Sequence, residues 1–502
     1  MKLFKNFICI LLAASMLLFV SCKKNDNINK VTVSPDDLVV DENGKEIEIN
    51  GKSVFMLSYT KSDSLNPFLA VSVNNQLLAS LLYEPLFKLD ENFAAQPIIA
   101  DSFEYKDNTI AVKLKKDVKF SDGSSVSAAD VIYSFNSAKK SPAFSANLST
   151  FVSADASDSK VIFTMAENNI YSVQNLTFPI VKNESIADDK TQWGIGSGKF
   201  VMLIDGADYK LKPNKKYLQL PVFTNIKLVN VETRISLDNA LKIGNISFAY
   251  KDLSEGIMTG VNAKTKKVPL NNMVYLGFNG VGNVMKNLNI RKAVSFSIDR
   301  DEIAASAYHG FAKRALSVYN PSWEVSNDAI ISSEKADAKA ARTALDLSGY
   351  TSQSLRLIVN DNNSFRMAAA DLIAKQLQQQ NINVTVEKLP YEMYLSYIEN
   401  GWYDMYIGEV RLTNDMSLSP FFTNTGNCRY GIDLDNSKAI KSYAQFVAGE
   451  GELGKFILDF QEEMPFVPIV YRSGLVQYTN QMKVKPTSHY GDIFENIAQW
   501  TY

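Results

Sequence analysis

The sequence predicts an α/β body of more than one domain, and three observations carry that reading. The chain has 502 residues, several times the length of one small core at about 150 residues per domain. Its 46% hydrophobic and 21% charged residues are those of an ordinary globular protein. Between Leu355 and Val410, strand-like and helix-like patterns alternate. That alternation argues for βαβ units and a mainly parallel sheet.

The elements follow in order. Ser53–Tyr59 reads as a strand, and Asn74–Leu82 carries helical apolar spacing. Thr109–Leu114 alternates as a half-buried strand, and Ser121-Asp-Gly-Ser124 is turn chemistry. Ser127-Ala-Ala-Asp130 opens a helix running through Phe135, because an N-cap hydroxyl and a carboxylate three residues on satisfy free N–H groups reciprocally. Lys160–Met165, Lys199–Leu203 and Ile226–Val231 are further strands. Leu355–Val359, Ile382–Glu387 and Met405–Val410 are strands separated by helices over Ser364–Gln379 and Tyr391–Asn400. The first of these helices sets Phe365, Ala369, Leu372, Ile373 and Gln376/Leu377 near one face. Ligands of such sheets sit beyond the carboxyl ends of the strands, which directs attention to the loop after Val410.

Composition excludes several function classes. With 52 Lys and Arg against 54 Asp and Glu there is no bulk basic field, so no nucleic-acid partner is expected. Two histidines and three cysteines leave little material for a zinc site, a Cys/His nucleophile or a disulfide scaffold. Neither His-Glu-x-x-His nor Gly-x-Ser-x-Gly occurs, and His309 and His489 are isolated. Gly194-Ile-Gly196-Ser-Gly198-Lys199 fails as a phosphate loop, with Trp193 at the first Gly position and Phe200 in place of Ser/Thr. A turn with several positive-φ positions is the expectation there. No catalytic residue, metal or cofactor is assigned.

The amino terminus reads as an address. Lys2 and Lys5 precede an apolar run, Phe7–Val20, of about 14 residues, short for a bilayer span and suited to a signal peptide. Phe19-Val20-Ser21-Cys22 resembles a bacterial lipobox, in which the Cys becomes the lipid-modified first residue. The expected organisation is therefore a signal peptide over 1–21, then a lipidated Cys22 and flexible tether over 22–50. Cleavage removes Lys2 and Lys5, making the chain more acidic, and leaves Cys428 without a disulfide partner.

Ordered landmarks along the body resemble the family-five extracellular solute-binding proteins, the receptors of peptide- and nickel-type ABC importers. Asn66-Pro67 with Leu82-Tyr83-Glu84-Pro85-Leu86 is similar to the family's opening "NP…YEgL". Val118-Lys-Phe120-Ser-Asp-Gly123 with Ser127-Ala-Ala-Asp130-Val-Ile-Tyr-Ser-Phe135 resembles "vkFhDGtpftAeDVvySf", the most specific match. Gly194–Phe200, Val274–Asn279, Asn289–Arg300, Tyr403–Met405 and Pro465–Ile469 continue it.

The resemblance implies a two-lobed, periplasmic-binding-protein-like fold of type II. The first lobe would hold 51–268 plus 465–502, with a subdomain at about 90–180, and the second 269–464. A hinge would let the lobes close on solute, with no chemical step. It implies a peptide or other small solute as ligand, an ABC permease as partner, a membrane anchor through Cys22, and a monomer.

In relatives that bind peptides the segment matching Gly408–Asp415 often reads "gW.aDy.dP", its Asp pairing with the peptide amine. Here Glu409 stands for Trp and Leu412 for Asp. Glu409 or Asp415 is left to take the amine, and Arg411 to take a carboxylate bidentately. A structural Arg411–Glu409 pair beside the cleft is the alternative. Tyr83, Glu84, Trp193, Asn279 and Asn414 complete the candidate ligand set. Rival functions are the same fold serving a nickel-chelate, an oligosaccharide or a signalling peptide, an exported hydrolase using two carboxylates, and a surface lipoprotein without transport coupling.

Overall fold

The computed structural model describes residues 39–40, 46–47, 55–157, 160–186, 192–217, 221, 225–258, 260–282 and 284–501. The leader, Cys22 and most of the tether lie outside these residues. Within the tether, Val39–Val40 pairs antiparallel with Glu46–Ile47, regular structure that the sequence reading did not expect. The rest forms one compact unit from Val54 to Tyr502.

In chain order that unit opens with β1 (Phe55–Tyr59) and α1 (Val73–Leu82). Ser72 caps α1, accepting from the Asn75 amide. Four antiparallel strands then make a sheet of their own: β2 (Ala100–Lys106), β3 (Thr109–Leu114), β4 (Phe151–Ser157) and β5 (Lys160–Met165), in the order β2-β3-β5-β4. Against it packs α2 (Ala128–Ala138), whose Phe135 ring meets Phe151 and Phe163 edge-on. The Asp130 carboxylate accepts from the Ser127 amide at 2.8 Å and from the Asn183 amide at 2.7 Å. Asp130 of the signature is therefore a capping and tethering residue.

The chain returns through β6 (Phe200–Asp205), β7 (Asp208–Pro213) and β8 (Ile226–Asn230), the last parallel to β1. Only Gly194 of the glycine turn has positive φ, +70°. This corrects the expectation of several such positions. Gly196 and Gly198 are small because they press on the α1 C-terminus, where a Cβ would come within 2.0 Å of the Leu82 oxygen and 2.4 Å of its carbonyl carbon. The Gly198 amide donates to that oxygen at 2.9 Å.

The largest sheet contains β9 (Phe248–Lys251), β10 (Lys264–Phe278), β11 (Ala312–Arg314), β12 (Leu355–Asn360), β13 (Val384–Leu389), β14 (Met405–Arg411) and β15 (Phe466–Tyr478). Its order is β9-β15-β10-β14-β12-β13, with β11 also on β15. Only β13-β12-β14 is parallel. The pairs β14–β10, β10–β15 and β9–β15 are antiparallel, so the expected mainly parallel sheet is mixed. The reason is that β10 and β15 are long strands that need no helical crossover. Two helices, α3 (Ser364–Gln379) and α4 (Tyr391–Glu399), supply the βαβ connections.

Strands β10 and β15 run from one core into a second that is divided by the sheet into a cluster on each face. Val268, Leu270, Val476 and Tyr478 pack with Phe55, Phe135 and Trp500 in the first. From Met273 onward β10 alternates, Met273 and Tyr275 facing Tyr406 and Phe421, Val274 and Leu276 facing Ile373 and Met405. The change falls at Leu270–Met273, where the register of β10 on β15 shifts. Along β15, Phe466, Val467, Ile469, Val470, Tyr471 and Leu475 pack with the second core before Val476 and Tyr478 enter the first.

Candidate functional site between the two cores

Side chains on a strand alternate between faces, so Glu409 and Arg411 of β14 share one. Asn272 lies beside them, opposite Arg411 in register. Arg472 of β15 and Arg366 in the first turn of α3 complete this wall. The opposite wall comes from α1, Tyr250 of β9, Asp252 just after it, and Tyr490 near the carboxyl end. Together they enclose a cavity of about 390 Å³, within the range of about 300–1,000 Å³ usual for small-molecule sites.

Glu409 is held from several sides. Its Oε1 accepts from Arg472 Nε at 2.7 Å and from Asn272 Nδ2 at 2.9 Å, while Arg366 Nη1 lies 3.6 Å from Oε2. Arg472 also donates from Nη1 to the Asp252 carbonyl at 2.6 Å, tying the two walls together. Arg411 lies 5.5 Å over the Tyr490 ring and donates from Nη2 to its hydroxyl at 3.2 Å. Tyr490 favours the charged guanidinium and outweighs burial, which opposes it. The alternative of an Arg411–Glu409 pair is thus replaced by Arg472–Glu409 and Arg411–Tyr490. Three arginines face two carboxylates, Glu409 and Asp252, leaving the cavity with a positive excess.

Of the residues expected from sequence, Glu409 and Arg411 line this cavity and the others do not. Asn414 adjoins it, accepting from the Tyr490 hydroxyl at 3.3 Å and donating to Thr177 Oγ1 at 3.1 Å. Asp415 is buried, accepting from Thr413 at 2.6 Å and Asn169 at 3.0 Å; burial raises its carboxyl pKa. Both of its oxygens are taken, one by the local Thr413 hydroxyl and one by the distant Asn169 amide. Leu412 is buried in the second core.

The remaining candidates do structural work. Asn279 donates to the Gly401 and Tyr403 carbonyls at 3.1 and 3.2 Å, holding the turn before β14. Tyr83 is buried in the first core, and Trp193 packs edge-on against Tyr209 at 5.6 Å. Glu84 is buried, 3.0 Å from Lys88 and accepting from Tyr217 at 2.9 Å. Burial of an ion needs such partners, and these occupy the family landmark.

Arg366, Arg472, Tyr250, Asp252 and Tyr490 were missed. One signal was available for Arg472, a lone charge inside the apolar run Phe466–Tyr478. The others carry no local mark.

The model of the bacterial extracellular solute-binding proteins, family 5, middle region, matches residues 94–429. The chain belongs to this family. It is a family of solute-binding proteins, not of enzymes. The oligopeptide-binding protein AppA of Bacillus subtilis is 24% identical over 348 residues, covering 62% of this chain and 64% of AppA. The nickel-binding protein NikA of Staphylococcus aureus is 24% identical over 328 residues, 61% of this chain and 64% of NikA. The chain thus spans somewhat under two thirds of the length of these two relatives. Among solved structures, the ABC transporter substrate-binding protein CtaP of Listeria monocytogenes superposes with a TM-score of 0.71 at 18% identity, covering 89% of this chain and 98% of CtaP. That likeness establishes the two-lobed α/β fold for this family-five protein. No helix among its described residues is long and apolar enough to cross a membrane.

Proposed function

We propose that this family-five protein captures a short peptide between its two lobes and delivers it to an ABC permease, held at the outer face of the membrane by a lipid on Cys22. The observation that carries the reading is the charge layout of the cavity. Arg411 is fixed over Tyr490 and offers a planar donor fork to a carboxylate. The Asp252 carboxylate, on the opposite wall, suits an amine. Glu409 is already occupied by Arg472 and Asn272, so the amine anchor moves away from the β14 segment. A zwitterion spanning the cavity touches both lobes and favours their closed arrangement. The register shift at Pro269–Met273 in β10 supplies the hinge.

The positive excess supports a second reading, a metal chelate whose carboxylates meet the same arginines. Native mass spectrometry of the chain from Lys23 onward, before and after unfolding and refolding, separates the two. A set of short-peptide masses lost on unfolding is expected. One non-peptide mass, returning on addition of a nickel–histidine chelate, gives the site to the second reading. The intact mass of membrane-extracted protein tests the anchor through a diacylglyceryl group on Cys22.

A further inference from the structure

The cavity has a neighbour. A second chamber of about 570 Å³ shares Tyr490 with it and is lined by Lys266, Lys267 and Lys313 against Glu91 and Glu324, beside Trp323. Tyr490 lines both chambers. We propose that Tyr490 is the wall that limits solute length, closing the charged cavity at its Arg411 end and withholding the lysine-lined chamber from the ligand.

The wall is fixed rather than free to swing. Its ring packs on Phe93 at 5.0 Å and lies under the Arg411 guanidinium at 5.5 Å. Its hydroxyl accepts from Arg411 and donates to Asn414. The loop that carries it is equally committed. Gly491 presses on the Leu89 backbone, where a Cβ would lie 2.1 Å from the carbonyl oxygen. Asp492 is buried against Lys88 at 3.2 Å and Lys199 at 3.9 Å. Displacing the ring therefore breaks contacts to residues of both lobes at once.

The chemistry beyond the wall sets the class of solute that removal would admit. On the peptide reading of the preceding subsection, on which this point rests, a short ligand ends with its carboxylate on Arg411, against the Tyr490 ring. Without the ring, a longer peptide passes Arg411 and its carboxylate reaches Lys267 and Lys313. The change favours length, and acidic residues near the carboxyl end.

The test uses Tyr490→Ala and Tyr490→Phe in the full mature chain, each incubated with an equimolar mixture of unblocked alanine-based peptides of two to eight residues and read by native mass spectrometry. Wild type and Tyr490→Phe should retain the shortest peptides. Tyr490→Ala should raise the ratio of five- and six-residue to two- and three-residue peptides by about tenfold or more. An unchanged length distribution in Tyr490→Ala overturns the proposal. Tyr490→Leu, which keeps an apolar contact on Phe93, replaces it if the Ala variant does not fold, with the same direction expected. A crystal structure of the variant decides the wall whatever the solute. One continuous chamber from Asn272 to Lys267 supports it, and two chambers still separated overturn it. Peptides absent from every spectrum beside a continuous chamber would remove the peptide reading and leave the wall standing.

Discussion

Arg472 and Glu409 form a hydrogen-bonded ion pair of 2.7 Å on one wall of the cavity, with both side chains almost wholly excluded from solvent. A buried pair is expensive to break, because the remaining partner keeps its charge and loses its compensation. Arg472 has a second duty, since it also holds the Asp252 carbonyl of the other wall. Arg472→Ala should therefore lower stability by about 3–5 kcal/mol. Glu409→Gln in the same chain should recover part of that loss by removing the stranded charge. Chemical denaturation checks both, and a single-variant loss below about 1 kcal/mol would mean the pair behaves like an exposed one.

Arg411 has the opposite profile. Its guanidinium is paired to a ring and a hydroxyl and to no carboxylate among the described residues, so its removal strands no charge. Arg411→Ala should leave thermal stability near wild type and weaken a carboxylate-bearing ligand by about ten- to hundredfold, the worth of a charge-assisted hydrogen bond. Titration calorimetry with the ligand recovered from native protein reads the change. Unchanged affinity with an intact fold would remove Arg411 from the site.

Gly198 has no room for a side chain against the α1 terminus. The obstacle is main chain, so no flexible group can yield. Gly198→Ala should cost about 1–3 kcal/mol, the usual cost of overpacking, and should shift the Leu82–Tyr83 backbone. Gly206 is the control, because a methyl group there would meet nothing within 4 Å while φ is +66°. At that position Ala should cost less, about 1 kcal/mol, through conformation alone. Equal losses at the two positions would contradict the close-contact account.

Acid should act through the loop that carries Tyr490. Burial by itself would raise the Asp492 carboxyl, but Lys88 and Lys199 outweigh it and hold its pKa below the ordinary carboxylate range. A carboxyl depressed in the folded state contributes stability above its unfolded pKa of about 4 and loses it as pH falls through the lower folded value. Wild-type stability should thus drop below about pH 4, and the drop should be shallower in Asp492→Asn. Denaturation midpoints against pH check this, and parallel curves for the two proteins would exclude the residue as a source of acid sensitivity.

Much of this protein was legible one segment at a time. The strands at Thr109–Leu114, Lys160–Met165 and Met405–Arg411 and the helix at Ser364–Gln379 lie where period and turn chemistry put them, because alternation and capping are set by neighbours within a few residues. Glu409 and Arg411 were singled out differently, through the resemblance of their segment to the stretch with which peptide-binding relatives hold their ligand. What those charges do was decided by chain far away. Glu409 meets Arg472 rather than Arg411, and Arg411 meets Tyr490, because β15, one strand removed from β14 across β10, and the carboxyl-terminal loop come within reach of β14 only in the folded molecule. The mixed sheet arose likewise, since β10 and β15 are shared by two cores and antiparallel pairing of such strands is invisible to local period. Local pattern records which face a residue occupies; only tertiary packing determines what stands opposite it.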